Sequence, residues 1–184
     1  MKTLIIQTSP QHTASTFLIN ALYGLIPELS NKRIIGDWNF KNGDAWVDNK
    51  FEDYFDDIII LKCHNTDIDE LIIKYNTHYK LYFICSERKQ LNLNISDKYK
   101  LYNNVAVIEF DELNESSINP LPNIIQNLYN KINTMLNIEL NIESGINRII
   151  RMNARYEEIK SLSFDYIDPF FEIHGSHRNR NVVQ

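Results

Sequence analysis

The sequence is poor in the residues from which disulfide scaffolds and metal clusters are made. Among 184 residues there are two cysteines, Cys63 and Cys85, both inside apolar stretches. That excludes a cystine-stapled fold and leads us to expect two reduced thiols in a reducing compartment. No apolar run approaches the roughly 18 to 20 residues of a membrane span. Met1-Lys2-Thr3 leads into a strand-like run with no small-residue cleavage site, so the expectation is a soluble, unprocessed, cytoplasmic chain. Positive charge is in deficit, 19 Lys and Arg against 24 Asp and Glu for a net charge of −5. The whole molecule is therefore no electrostatic partner for nucleic acid, although a local basic patch is still allowed. No repeat or low-complexity linker interrupts the chain, so residues 1–184 read as a single domain. A composition of 43% hydrophobic and 23% charged residues suits one globular core.

What is present alternates between strand and helix signals. Thr3 to Gln7 is a short apolar run, and Ser15 to Ile26 places Phe17, Leu18, Ala21, Leu22 and Leu25 at helical spacing. Residues 31–57 are aromatic and turn-rich, with a short strand expected at Arg33 to Ile35 and the remainder read as an excursion beside the sheet. Asp57 to Lys62 and Lys80 to Cys85 are continuous runs of the kind that parallel strands show when both faces are covered, and Asn104 to Phe110 is a further strand. Between them lie helical spacing at Asp67 to Tyr75 and a polar helix expected around Lys89 to Tyr99. After Pro120 the chain turns helical, at Leu121 to Leu136 and at Ser144 to Leu162. The predicted fold is α/β: a parallel sheet of about four to five strands flanked by helices, with a helical C-terminal part.

The chemistry concentrates in the first strand-loop-helix. Pro10-Gln11-His12-Thr13-Ala14-Ser15-Thr16 enters a helix N-terminus, where unpaired N–H groups and the helix dipole favour an anion. Hydroxyls at Thr13, Ser15 and Thr16 would donate to phosphate oxygens; alternatively Ser15 or Thr16 simply caps the helix. The loop lacks G-x-x-x-x-G-K-[ST], which removes the glycines and lysine of a triphosphate site.

Along the chain the sequence resembles the phosphoadenosine-phosphosulfate-dependent sulfotransferases, whose loop runs approximately Pro-Lys/Arg-Ser-Gly-Thr/Ser-Thr-Trp-Leu. Gln11-His12-Thr13-Ala14-Ser15-Thr16-Phe17-Leu18 fills that pattern. The family's Lys-Thr-His at the end of a strand is matched by Lys62-Cys63-His64, and its Arg followed eight residues later by Ser by Arg88 and Ser96. Its Tyr-Glu-Asp-Leu-like stretch is matched by Ile108 to Leu113, and its basic C-terminal segment by Ile173 to Arg178. The resemblance implies a P-loop-type sulfotransferase fold and 3′-phosphoadenosine 5′-phosphosulfate as donor co-substrate. It also implies transfer of a sulfuryl group to a hydroxyl or amine of a small-molecule or glycan acceptor, with no metal.

In that scheme His64 is the general base, its ordinary pKa lying near operating pH. His12, with Gln11, Thr13, Ala14, Ser15, Thr16 and Phe17, surrounds the leaving phosphate, while Arg88, Ser96 and Arg178 hold the nucleotide. His12 stands where the family has Lys or Arg, Phe17 where it has Trp, and Ala14 where it has Gly, which requires φ below zero at Ala14. Each residue also has a plainer role open to it. His64 would be a hydrogen-bonded structural histidine and Arg88 with Lys89 a solvated helix start. Arg148, Arg151 and Arg155 would form a solvated helix face with partners such as Glu158, or secondarily line the acceptor entrance. Trp38, Phe40 and Trp46 would form a satellite core or an acceptor platform, and Arg178 and Arg180 a frayed terminus. His174 and His177 lack a third ligand at recognisable spacing, so zinc is not expected. The alternative functions are a P-loop nucleotide or small-molecule kinase and a degenerate, non-catalytic nucleotide-binding protein.

Overall fold

The computed structural model describes residues 1–10, 13–36, 57–64, 67–162 and 167–173. Its frame is a parallel sheet of β1 (Lys2–Thr8), β2 (Ile35–Gly36), β3 (Ile58–Cys63), β4 (Tyr79–Glu87) and β5 (Val105–Glu109), in the order β2-β3-β1-β4-β5. The strands pair as continuous apolar runs because both faces are covered. On one face Leu4, Ile6, Leu61, Phe83 and Cys85 pack against α2 (Ile68–Tyr75), Ile95 and Tyr99. On the other, Ile5, Ile60 and Ile84 pack under α1 (Ser15–Leu25), which is covered by α3 (Leu121–Leu136) and α4 (Ile142–Ile159). The chain leaves β1 toward β2 on one side of the centre and leaves β4 toward β5 on the other. That divergence makes the carboxyl ends of β1 and β4 the switch point of the sheet, the position at which open α/β sheets bind ligands.

Two expectations are corrected. The stretch Lys89 to Tyr99 is not an α-helix: two single 3₁₀ turns, Lys89–Leu91 and Tyr99–Leu101, flank an antiparallel bridge between Arg88 and Leu93. Its few apolar residues are used to seal the sheet, as Ile95 and Tyr99 do, and leave no helical stripe. Of the arginines of α4, Arg151 is exposed and Arg155 pairs with Glu158, but Arg148 is not part of a solvated face. Arg148 is 0% exposed, its guanidinium donating to Asn20 Oδ1 (3.3 Å) and the carbonyls of Ser30 (2.8 Å), Lys32 (3.0 Å) and Phe170 (3.5 Å). It lies over the rings of Tyr23, Phe170 and Phe171. Burial draws its pKa down to about 10, so it stays charged and is neutralised by oriented carbonyl dipoles. Arg155 pairs with Asp168 (2.7 Å) and Glu158 (2.7 Å), and Arg151 with Asn31 and the Ser30 carbonyl. The stripe fastens the turn after α1 and the segment 167–173 to α4.

Every residue of α1 except Phe17 is buried, which its crossing with α4 makes possible. A Cβ on Gly24 would stand 2.8 Å from both Arg148 Cβ and the Gly145 Cα, so only glycine lets the backbones meet. A Cβ on Gly145 would meet side-chain carbons of Ile125 and Leu25 at 3.0 and 3.2 Å, which can give way. Gly24→Ala is therefore expected to lower unfolding free energy by about 1–3 kcal/mol. Gly145→Ala should fall nearer neutral, its strain offset by helix propensity of up to about 1 kcal/mol. Urea midpoints of the two variants give the comparison.

Candidate active site at the carboxyl edge of the sheet

Strand side chains alternate with period two, so the residues that continue Ile5, Ile60 and Ile84 stay on the face of α1. They are Gln7 on β1, Lys62 on β3 and Ser86 on β4, with Ser9, His64 and Arg88 following just beyond the strand ends. The register sets Gln7 beside Lys62 and beside Ile84. At the carboxyl edge, under the start of α1, the apolar face thus gives way to polar groups.

Lys62 is 1% exposed, and its Nζ donates to Thr16 Oγ1 at 3.2 Å, which brings a buried cation to the first turn of α1. Lys62 has no role of its own among the sequence expectations, although a lysine inside an otherwise apolar buried strand is itself a signal. His64, two residues on and half-buried, has its Nδ1 2.8 Å from the Ser9 carbonyl. A carbonyl only accepts, so Nδ1 carries a proton, and in the neutral ring the buried Nε2 is then the basic nitrogen. Ser9 Oγ accepts from Gln7 Nε2 and from the Ser86 N–H, both at 2.8 Å, and Thr13 Oγ1 donates to the Pro10 carbonyl at 2.7 Å.

Neither Ser15 nor Thr16 caps α1. The N-cap is Ala14 in the left-handed region, φ 61° and ψ 27°, and no side chain hydrogen-bonds there. The required negative φ is thus not met: the loop takes the conformation that favours glycine and holds alanine in it. Among the described residues the Ser15 hydroxyl has no hydrogen-bond partner, and it and Thr16 stand at the positive end of the helix dipole. Phe17 is the one half-buried residue of the helix and packs at the edge of its core.

Arg88, half-buried, stacks its guanidinium on the Phe110 ring at 4.1 Å, and among the described residues no carboxylate pairs with it. Its planar donors remain available for an anion. Ser96 is exposed, three residues beyond the Arg88–Leu93 bridge, and its carbonyl accepts the Tyr99 N–H. Gln11, His12, His174, His177, Arg178 and Arg180, with Trp38, Phe40 and Trp46, lie outside the described residues. Among the described residues no cluster of His, Cys, Asp or Glu is suited to a metal ion.

The opposite face handles charge differently. Buried Glu87 accepts from the Ile95 N–H and pairs with Lys100 at 3.0 Å, and although burial raises its pKa, those contacts hold it below the ordinary value. A groove of about 340 Å³ there is bounded by Glu87, Lys89, Lys100, Glu109 and Lys131. Its lysines are committed: Lys89 to Glu109, Lys100 to Glu87 and Lys131 to Glu112. Burial pushes the Cys85 thiol up, which makes it an inert apolar filler.

No protein-family model matches this chain, and neither does any curated protein. Among the described residues no helix is long and apolar enough to cross a membrane.

The left-handed alanine yields a direct expectation. Ala14→Gly removes a Cβ clash of about 1–2 kcal/mol at the cost of a more flexible unfolded chain. The variant should be more stable by up to about 1 kcal/mol, read as a raised urea midpoint.

Proposed function

We propose that the chain is a sulfotransferase that moves a sulfuryl group from 3′-phosphoadenosine 5′-phosphosulfate to a hydroxyl or amine of a small-molecule or glycan acceptor. One observation carries the reading: Lys62, near the end of β3, donates to Thr16 at the uncapped start of α1, and His64, just beyond β3, has its Nδ1 held by the Ser9 carbonyl. A cation beside helix N–H groups suits a leaving phosphate, and a histidine with a basic Nε2 beside it suits deprotonation of an acceptor.

The donor brings a sulfuryl group attached through a bridging oxygen to a 5′-phosphate. His64 Nε2 takes the proton of the attacking hydroxyl as its oxygen bonds to sulfur. The bond from sulfur to the bridging oxygen breaks, and its electron pair leaves on the phosphate. Lys62, the hydroxyls of Ser15 and Thr16 and the first N–H groups of α1 receive that charge, with His12 as a further donor. Arg88 offers its stacked fork to the 3′-phosphate, joined by Ser96 and Arg178 in the family's pattern. The chemistry needs no metal.

Calorimetric titration with adenosine 3′,5′-bisphosphate, against AMP and Mg-ATP, tests the site without knowledge of the acceptor. Selective binding of the bisphosphate is expected, and Mg-ATP preferred over it would favour a kinase instead. Arg88→Ala should weaken bisphosphate binding by about 10- to 100-fold, the worth of a charged hydrogen bond. His64→Ala should leave that affinity in place and reduce transfer by about 10²- to 10⁴-fold. Equal losses of binding in both variants would refute these roles.

A further inference from the structure

The hydroxyls at the carboxyl edge fall into two groups. Ser15 and Thr16 stand at the helix start, whereas Ser9, Thr13 and Ser86, all fully buried, are bonded to one another. The β1–β4 pairing ends at Gln7 and Ile84, and beyond it the Ser86 N–H is taken by the side chain of Ser9 (2.8 Å). A side chain thus carries on where the ladder of main-chain bonds stops. Ser86 Oγ then lies 3.0 Å from Ser9 Oγ and 2.9 Å from Thr13 Oγ1, while Thr13 donates its proton to Pro10. A hydroxyl has one proton and two lone pairs. Thr13 has spent its proton within the loop and has none to give to a ligand.

The chain of bonds therefore runs from β4 to both ends of the β1–α1 loop, and the Ser9 that it holds is the residue whose carbonyl orients His64. We infer that Ser86 is a positioning residue: through Ser9 and Thr13 it clamps the loop before α1 and the His64 ring in one arrangement, and Thr13 belongs to the clamp and not to the ligand contacts. The ligand in this inference rests on the sulfuryl-transfer reading; the clamp itself does not.

A double-mutant cycle of Ser86→Ala and Thr13→Val, with Thr13→Ser as the conservative control, separates the roles. Affinity for adenosine 3′,5′-bisphosphate is measured by calorimetry, and the His64 tautomer of the free protein by nitrogen-15 NMR. Each single variant should lose about tenfold in affinity, the worth of one hydrogen bond. The double variant should be no worse than either single one, because both cut the same chain, and Thr13→Ser should bind as the parent does. In Ser86→Ala and Thr13→Val the His64 signals should pass from one Nδ1–H tautomer to a mixture. Additive losses, or a loss in Thr13→Val alone with His64 unchanged, would overturn the clamp and make Thr13 a ligand contact. Should Ser86→Ala fail to fold, the contrast between Thr13→Val and Thr13→Ser decides by the same two readouts. If the parent protein does not bind the bisphosphate, the sulfuryl-transfer reading fails, and the clamp is then judged by NMR alone, an unchanged tautomer in both variants refuting it.

Discussion

Helix α1 is buried on almost every side, and the close contact of Gly24 with Gly145 is what permits it. With no Cβ between them, α4 comes near enough for Arg148 to pass beside α1 and collect the carbonyls of Ser30, Lys32 and Phe170. A buried guanidinium is costly unless its donors are used, and here they go to two separate segments, the turn at Ser30 and Lys32 and the stretch that carries Phe170. Asn20 extends the arrangement, accepting from Arg148 and donating to the carbonyls of Thr16 and Phe171. The first turn of α1, where the candidate chemistry lies, is therefore fixed from behind by packing remote from it. An active-site geometry that must hold to a fraction of an ångström is better placed on such a helix than on a loop.

The sheet supplies the other half of the site by arithmetic. Parallel strands in register bring Gln7 beside Lys62, and just beyond the paired residues hydrogen bonds join Ser9 to Ser86 and to His64. Nothing in their sequence spacing relates Ser9 to Ser86; it is the adjacency of β1 and β4 that joins them. Side-chain alternation sends Glu87 to the opposite face, where Lys100 meets it, so neighbouring residues on β4 serve unrelated environments.

This explains which features were legible in the sequence. The apolar runs of β1, β3 and β4 and the amphipathic stretch Leu121–Leu136 announced themselves because burial on two faces or on one stripe leaves a direct imprint on residue order. The alternation Lys62-Cys63-His64 also pointed to the edge of the sheet, although the lysine was read as part of a run and not as a site residue. Arg148 could not be read from its own segment, since arginine on a helix is ordinarily solvated; its burial follows from Gly24, more than a hundred residues earlier. The segment after β4 misled for a related reason: its polarity resembled a surface helix, but Ile95 and Tyr99 were needed against the sheet and the backbone broke into 3₁₀ turns to deliver them. Ala14 stands at a glycine position of the resembling family, yet alanine led to the expectation of a negative φ, and the turn imposes the left-handed conformation on it all the same.

The distribution of satisfied and available polar groups also separates frame from reacting surface. Buried polar atoms are tolerated when they bond to one another, and Ser9, Thr13 and Ser86 do so without reference to any ligand. The donors of Arg88 and the Ser15 hydroxyl are not engaged in that way among the described residues, although each lies on an element the core holds fixed. Ordering a long cationic side chain ordinarily costs conformational entropy at the moment of binding. Arg88 meets part of that cost beforehand by stacking on Phe110, and Lys62 does so by burial in β3, so on the proposed reading the charge that an anion would meet is already ordered.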